Sequence, residues 1–265
     1  MSTEELFIED LNAEVDGTRV ILVHGAPDRS RNFRRVVDEL RLETPLTLYD
    51  RRGYGRSAVA VSGGGGFPVH ALDLLEIIGD RPAIVVAQSA GASVALLAST
   101  MRPQSFVTLG IWEPPMVAYE WWVGPAEMER LMHWVRYDDH RQCVEDQNRL
   151  ILGDGVWESL SAETKEMLRA EGEAFWLDMD SQRVQHFQPE EVTVPVFAGF
   201  GTFQRESYFP VAYRRLIDRL GARSHCYEGA SHAAHITHSR DWADFARRTI
   251  AIAVVEHGAV VRFAR

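Results

Sequence analysis

The chain is poor in several things whose absence narrows what it does. It has two cysteines, Cys143 and Cys226, far apart in the sequence. Such a pair makes neither a disulfide framework nor a thiolate metal cluster, and it suits thiols kept reduced. No apolar run approaches the length that crosses a bilayer. The opening MSTEELFIED is acidic, where a signal or transit peptide is basic and then apolar. The expectation is therefore a cytoplasmic protein with no membrane partner. Positive charge is short too: 28 Lys and Arg against 38 Asp and Glu give a net charge of −10. No basic surplus is left to neutralise phosphates, which argues against a nucleic-acid binder. The arginines are interleaved with acids, as in RRLIDRLGAR, and read as solvated helix faces. No His/Asp/Glu group has the spacing of a metal site, so neither metal nor cofactor is expected. No internal repeat is visible, and GGGG is the one low-complexity patch, read as a flexible loop.

What is present suits one sizeable core. A chain of 265 residues, 46% hydrophobic and 25% charged, fits a large α/β domain or such a domain with an insertion. RVILVHG, ending in Gly25, reads as a buried strand. RNFRRVVDEL follows with Phe33, Val36, Val37 and Leu40 at helical spacing and Ser30 as the expected cap. PLTLYD, AIVVAQ, FVTLGI, VTVPVFAGF and RSHCYEG read as further strands, with helices near 70–78, 90–98, 212–220 and from about 241. The last helix carries Trp242, Phe245, Thr249 and Ile250 on one face. Strand–helix alternation implies a parallel, doubly wound sheet covered on both faces. The rhythm breaks from about 114 to 191, a helix-like stretch holding five of the seven Trp residues. The expected division is a sheet domain over 1–113 and 192–265, with a helical insertion over 114–191 between its sixth and seventh large strands.

Within AIVVAQSAGASVALLA, a lone Ser89 stands where an apolar strand meets a helix. A sharp strand-to-helix turn needs small neighbours, and Ala87-Gln88-Ser89-Ala90-Gly91 supplies them, with Ala in place of a nucleophile elbow's first Gly. The turn would put the hydroxyl at a helix N-terminus, where backbone N–H groups favour developing negative charge. A serine hydroxyl needs a His to take its proton, and the His needs a carboxylate to fix it. YEGASHAAHITH offers His232 after the last strand, and VHGAP offers a Gly-containing turn able to aim a backbone N–H at an oxyanion.

These pieces, VHGAP at 23–27, YDRRGYGRS at 49–57, AQSAG at 87–91 and GASHAAH at 229–235, resemble the α/β-hydrolase fold family in their order. The resemblance spans nearly everything outside the insertion. It implies Ser89 as nucleophile, His232 as general base, an oxyanion hole from the N–H groups of Ala26 and Ala90, and the insertion as a helical cap over the substrate pocket. The family's commoner acid is an Asp in the loop after the seventh strand, but FAGFGTFQRES contains none. The less common pattern places the acid after the sixth strand, where GIWEPP has Glu113; Glu206 is the alternative. Asp50 and His24 read as structural, and His235 and His238 as exposed partners on the His232 loop. Trp112, Trp121 and Trp122 are expected near the pocket mouth as substrate contacts.

The resemblance implies a serine hydrolase of carboxylesterase type, acting on an ester or related acyl bond of a small molecule, with homo-oligomerisation left open. An Asp nucleophile would mark an epoxide or haloalkane hydrolase, and Ser89 speaks against both. Carbon–carbon bond hydrolases and thioesterases share the same triad. A ligand-binding pseudo-enzyme or cofactor-independent oxygenase on the same fold is the rival class.

Overall fold

The computed structural model describes residues 3, 6–58, 64–122, 129, 132–203 and 209–264. Seven strands form one sheet: β1 (Ile8–Leu11), β2 (Val20–Val23), β3 (Leu46–Tyr49), β4 (Ala83–Gln88), β5 (Phe106–Trp112), β6 (Val196–Gly201) and β7 (Arg223–Tyr227). Their spatial order is β1-β3-β2-β4-β5-β6-β7, with β1 antiparallel to β3 and every other pair parallel. The helices are α1 (Arg34–Leu40), α2 (Gly66–Ile78), α3 (Ala90–Met101), α4 (His140–Leu152), α5 (Asp154–Ser159), α6 (Ala162–Arg169), α7 (Gly172–Ser181), α8 (Phe209–Leu220), α9 (Ala234–Thr237) and α10 (Ser239–His257).

The central strands are apolar throughout because both faces are covered. Ile21, Val23, Val85 and Ala87 enter one core with residues of α2, α3 and α8. Their neighbours Val20, Leu22, Ile84 and Val86 enter the other, with α1 and α10. This is the period-two alternation of a strand, read here as two buried faces. In α10, Trp242, Phe245, Thr249 and Ile250 are buried as a single stripe.

Two expectations need correction. The insertion leaves the sheet after its fifth strand, not its sixth, because β1 alone precedes β2 among the described residues. Ser30 does not cap α1: a 3-10 turn, Ser30–Phe33, precedes that helix, and the Ser30 hydroxyl donates instead to Asp50 Oδ1 at 2.5 Å.

Between β5 and β6, α4 and α7 build a small core from Cys143, Val144, Phe175 and Met179, with Trp134 against it. Asp139 caps α4 by accepting from the N–H groups of Arg141 and Gln142, and Ser161 caps α6 by accepting from Thr164. Among the described residues no helix is long and apolar enough to cross a membrane.

The strand order fixes where a ligand can enter. β3 lies on one side of β2 and β4 on the other, so connections leave the carboxyl ends of β2 and β4 in opposite directions. A crevice opens at such a switch point.

Candidate active site

β2 and β4 run side by side, with Val23 opposite Ala87, so the chain leaves both strands at adjacent points. The turn after β2 carries Gly25 and Ala26; the turn after β4 carries Ser89. Close approach dictates the small residues. A Cβ on Gly25 would lie 2.9 Å from Ser89 Cβ, and one on Gly91 would lie 2.3 Å from the His24 carbonyl oxygen. Ser89 itself has φ +51, a conformation a non-glycine residue adopts only where its surroundings impose it. α3 begins at once with Ala90, whose N–H is among the helix's first and lies outside the intrahelical ladder.

Glu113 follows directly on β5, also with a positive φ of +47. It is 2% exposed and is braced by β6: its Oε1 accepts from the Gly201 N–H at 2.9 Å. Its Oε2 lies 2.7 Å from His232 Nδ1, and His232 Nε2 lies 2.9 Å from Ser89 Oγ. With Nδ1–H donating to the carboxylate, Nε2 is left to accept from the serine hydroxyl. Ser89, His232 and Glu113 thus form one hydrogen-bonded line across the carboxyl ends of β4 and β5. The alternative acid, Glu206, lies outside the described residues.

A cavity of about 760 Å³ opens onto Ser89 and His232. The loop after β2 and the turn 229–238 form two of its walls, and α4 and α6 form a third through Ile151, Met167 and Leu168. Phe203 and Ile236 add further apolar surface. Trp112, Trp121 and Trp122 are not among its lining residues, contrary to expectation. Strand alternation turns Trp112 away from the Ile111 face into the other core, with its ring centroid 5.4 Å from those of Tyr227 and Phe245. Trp122 packs edge-on against Tyr213 at 5.0 Å, and Trp121 lies under the Arg219 guanidinium at 4.9 Å. Chain proximity to Glu113 does not bring these rings to the cavity.

The surrounding residues sort into braces. His24 is fully buried: its Nδ1–H donates to Gly25 O at 2.8 Å and its Nε2 accepts from the Arg51 N–H at 2.8 Å. Burial, reinforced by the Arg51 charge, lowers its pKa to about 4, so it is a neutral loop support. Asp50 accepts from the N–H groups of Ser30 and Arg56 and from the Ser30 hydroxyl, fixing the YDRRGYGRS turn. Neither His235 nor His238 is exposed as expected: His238 is half-buried, and His235 is only 3% exposed, with its Nε2 2.9 Å from Asp28 Oδ2.

Three features are not evident from the sequence. Gln88, beside the serine, donates to the His232 carbonyl at 2.7 Å and accepts from Trp242 Nε1 at 3.1 Å, tying the His232 turn to the elbow. A polar residue closing an otherwise apolar buried strand is the available signal. Arg51, fully buried, donates to the carbonyls of His24 and Gly25 at 3.0 and 2.7 Å and to Asp178 of α7 at 2.9 Å. Glu171, just before α7, meets Arg29 at 2.8 Å and accepts from the Gly55 N–H at 2.8 Å. Burial outweighs Arg29 there and pushes the carboxyl up to about 7. Nothing in the sequence pairs Arg51 or Arg29 with partners so far along the chain.

Comparison with known proteins agrees with this frame. The model of the Alpha/beta hydrolase family matches residues 20–248. Lipase LipV of Mycobacterium tuberculosis is 34% identical over 97 residues, 36% of this chain and 37% of LipV. The chain thus spans from 15% to 37% of the length of the curated relatives it matches. A thermophilic esterase from Thermogutta terrifontis (malate bound) has a TM-score of 0.72 at 16% identity, covering 94% of this chain and 93% of that one. An epoxide hydrolase from Bacillus megaterium has a TM-score of 0.70 at 16% identity, covering 93% and 96%. At those identities the likeness to solved structures is one of fold. With the family model covering most of its length, this chain belongs to the α/β-hydrolase family.

Proposed function

We propose that the protein is a serine hydrolase that cleaves an ester or related acyl bond of a small organic substrate through an acyl-enzyme. The observation that carries this reading is the unbroken line from Glu113 Oε2 to His232 Nδ1 at 2.7 Å and from His232 Nε2 to Ser89 Oγ at 2.9 Å. In the first half-reaction Ser89 Oγ attacks the carbonyl carbon while its proton passes to His232 Nε2. The carbonyl oxygen becomes an oxyanion, received by the N–H groups of Ala26 and Ala90, the latter at the positive end of α3. Collapse breaks the bond to the leaving group, which takes the proton from His232. Water then repeats the sequence on the acyl-serine and restores the free hydroxyl. Glu113 holds the imidazole in the tautomer that leaves Nε2 unprotonated and stabilises the imidazolium formed at each step.

The helical segment 114–191 is read as the cap and 1–113 with 192–265 as the catalytic core. Ile151, Met167 and Leu168 on the cap, with Phe203 and Ile236 on the core, form the apolar part of the cavity, which suits an apolar acyl or alcohol group. LipV and the Thermogutta esterase carry names that agree with ester cleavage. The reading favours an ester over an epoxide because a hydroxyl, not a carboxylate, stands at the elbow.

The test is labelling with a fluorophosphonate probe. Stoichiometric labelling at Ser89, abolished in Ser89→Ala together with hydrolysis of a p-nitrophenyl ester, is the expected result. Absence of labelling in the folded wild-type protein, or activity surviving in Ser89→Ala, overturns the reading and favours a ligand-binding role for the cavity.

A further inference from the structure

The cavity wall holds a second carboxylate–histidine contact that the reaction does not use. Asp28, two residues past Ala26, and His235, three past His232, are 8% and 3% exposed. His235 Nε2 lies 2.9 Å from Asp28 Oδ2, a close polar contact in which neither atom meets the geometry of a conventional hydrogen bond, and both residues line the cavity with Ser89 and His232. Each partner is fixed within its own segment. Asp28 Oδ1 accepts from the Arg29 N–H at 2.8 Å and from Asn32 Nδ2 at 2.6 Å, making the loop after Ala26 a stiff turn. The His235 ring packs against Phe33 with centroids 5.1 Å apart and against Trp242 at 6.5 Å, the same Trp242 whose Nε1–H donates to Gln88. Burial alone would raise the Asp28 pKa, but His235 holds the carboxyl well below the ordinary carboxylate range, so it stands ionised.

The two segments joined here have separate duties under the serine-hydrolase reading, on which this inference rests. One presents the Ala26 N–H to the oxyanion; the other presents the His232 ring to Ser89. Glu113 controls the rotation of that ring, and Gln88 holds the His232 carbonyl. Neither bond reaches the loop after β2. Among the contacts around the cavity, Asp28–His235 spans from that loop to the His232 turn directly. We propose that Asp28 and His235 are positioning residues that hold the oxyanion N–H and the general base at a fixed separation, so that nucleophile activation and oxyanion capture occur in one geometry. A buried carboxylate set against a histidine ring is a poor source of net stability, and two hydrophobic residues would fill this space at less desolvation cost. Its place between two working parts fits directional registry, a use for which such pairs are retained.

The experiment compares His235→Leu, His235→Gln and Asp28→Asn with wild type. It reads the second-order rate of fluorophosphonate labelling, kcat and KM on p-nitrophenyl butyrate, and Tm. His235→Leu keeps the bulk and removes the donor; His235→Gln restores an N–H close to the lost Nε2. Misplacement of reacting groups costs up to about 100-fold, so His235→Leu is expected to slow labelling and kcat together by roughly 10- to 100-fold with KM within about twofold. His235→Gln is expected to recover most of that loss, which a packing role would not produce. If His235→Leu does not fold, Asp28→Asn decides, since it removes the charge and keeps the shape. Labelling at the wild-type rate in folded His235→Leu or Asp28→Asn overturns the proposal. So does an equal loss in His235→Leu and His235→Gln that follows Tm. A wild-type protein that is not labelled at all overturns the serine-hydrolase reading instead.

Discussion

Replacing Asp178 by alanine should destabilise the protein by several kcal/mol, and the reason is a stranded charge. Asp178 and Arg51 have side chains with 0% exposure and meet at 2.9 Å. Burial by itself would raise the Asp178 pKa, but Arg51 and His70 keep it below the ordinary carboxylate range. Removing the carboxylate leaves the guanidinium in a dry interior with two carbonyls, those of His24 and Gly25, and no counter-charge. Breaking a buried pair from one side costs about 3–5 kcal/mol. Tyr54, whose hydroxyl donates to the same carboxylate at 2.7 Å, loses its acceptor as well, a further loss of about 1 kcal/mol or more. The two overlap through one oxygen and do not simply add, so about 4 kcal/mol is the working figure. For a chain of this size each kcal/mol moves Tm by roughly 2–4 °C, giving a fall of about 8–16 °C by scanning calorimetry. Because Arg51 also holds Gly25, turnover should fall below wild type even well under the transition. Asp178→Asn, which keeps an acceptor for Tyr54, should lose less. A Tm within about 3 °C of wild type for Asp178→Ala would refute the argument, showing that water or a rearranged partner relieves Arg51.

Glu113→Gln should lower kcat by up to about 10⁴-fold, or about 5 kcal/mol of barrier, with Tm nearly unchanged, while Glu206→Gln stays within a few-fold; the reverse ranking in steady-state kinetics would move the acid to Glu206. Glu171 has a folded pKa of about 7 against an ordinary 4.5, so it binds its proton more tightly when folded. Its contribution is therefore full below about pH 4.5 and is lost as pH rises through 7, a swing of about 3 kcal/mol in urea melts of wild type that Glu171→Gln should abolish. Trp122→Leu should lower Tm without changing the preference for acyl length, because the ring is buried away from the cavity. Leu168→Ala, which enlarges the cavity wall, should shift that preference toward longer chains on a p-nitrophenyl ester series.

What is legible from the sequence is set by local rules. Strands such as AIVVAQ announce themselves because both faces are buried, and the apolar stripe of α10 follows from helical spacing. The serine, histidine and Glu113 are legible because a tight strand-to-helix turn restricts its neighbours to small residues and because the rest follow in a recognisable order. β1 is not legible because IEDL at a sheet edge is half polar and carries no apolar run. The braces are hidden for a different reason. Arg51 and Asp178 are 127 positions apart, and Asp28 and His235 lie near opposite ends of the chain; only the folded sheet brings them together. The tryptophans mislead because nearness in sequence to Glu113 says nothing about which side of a strand a ring leaves from.

The carboxylate that reaches His232 rides on the end of β5 and leans on the backbone of β6 through Gly201. It is therefore part of the sheet's own lattice and does not depend on the connection that leaves Gly201. On the proposed reading of Glu113 as the acid, the connection after Gly201 carries no part of the proton relay. A change in that connection that leaves Gly201 in place is then expected to spare the contact between Glu113 and His232.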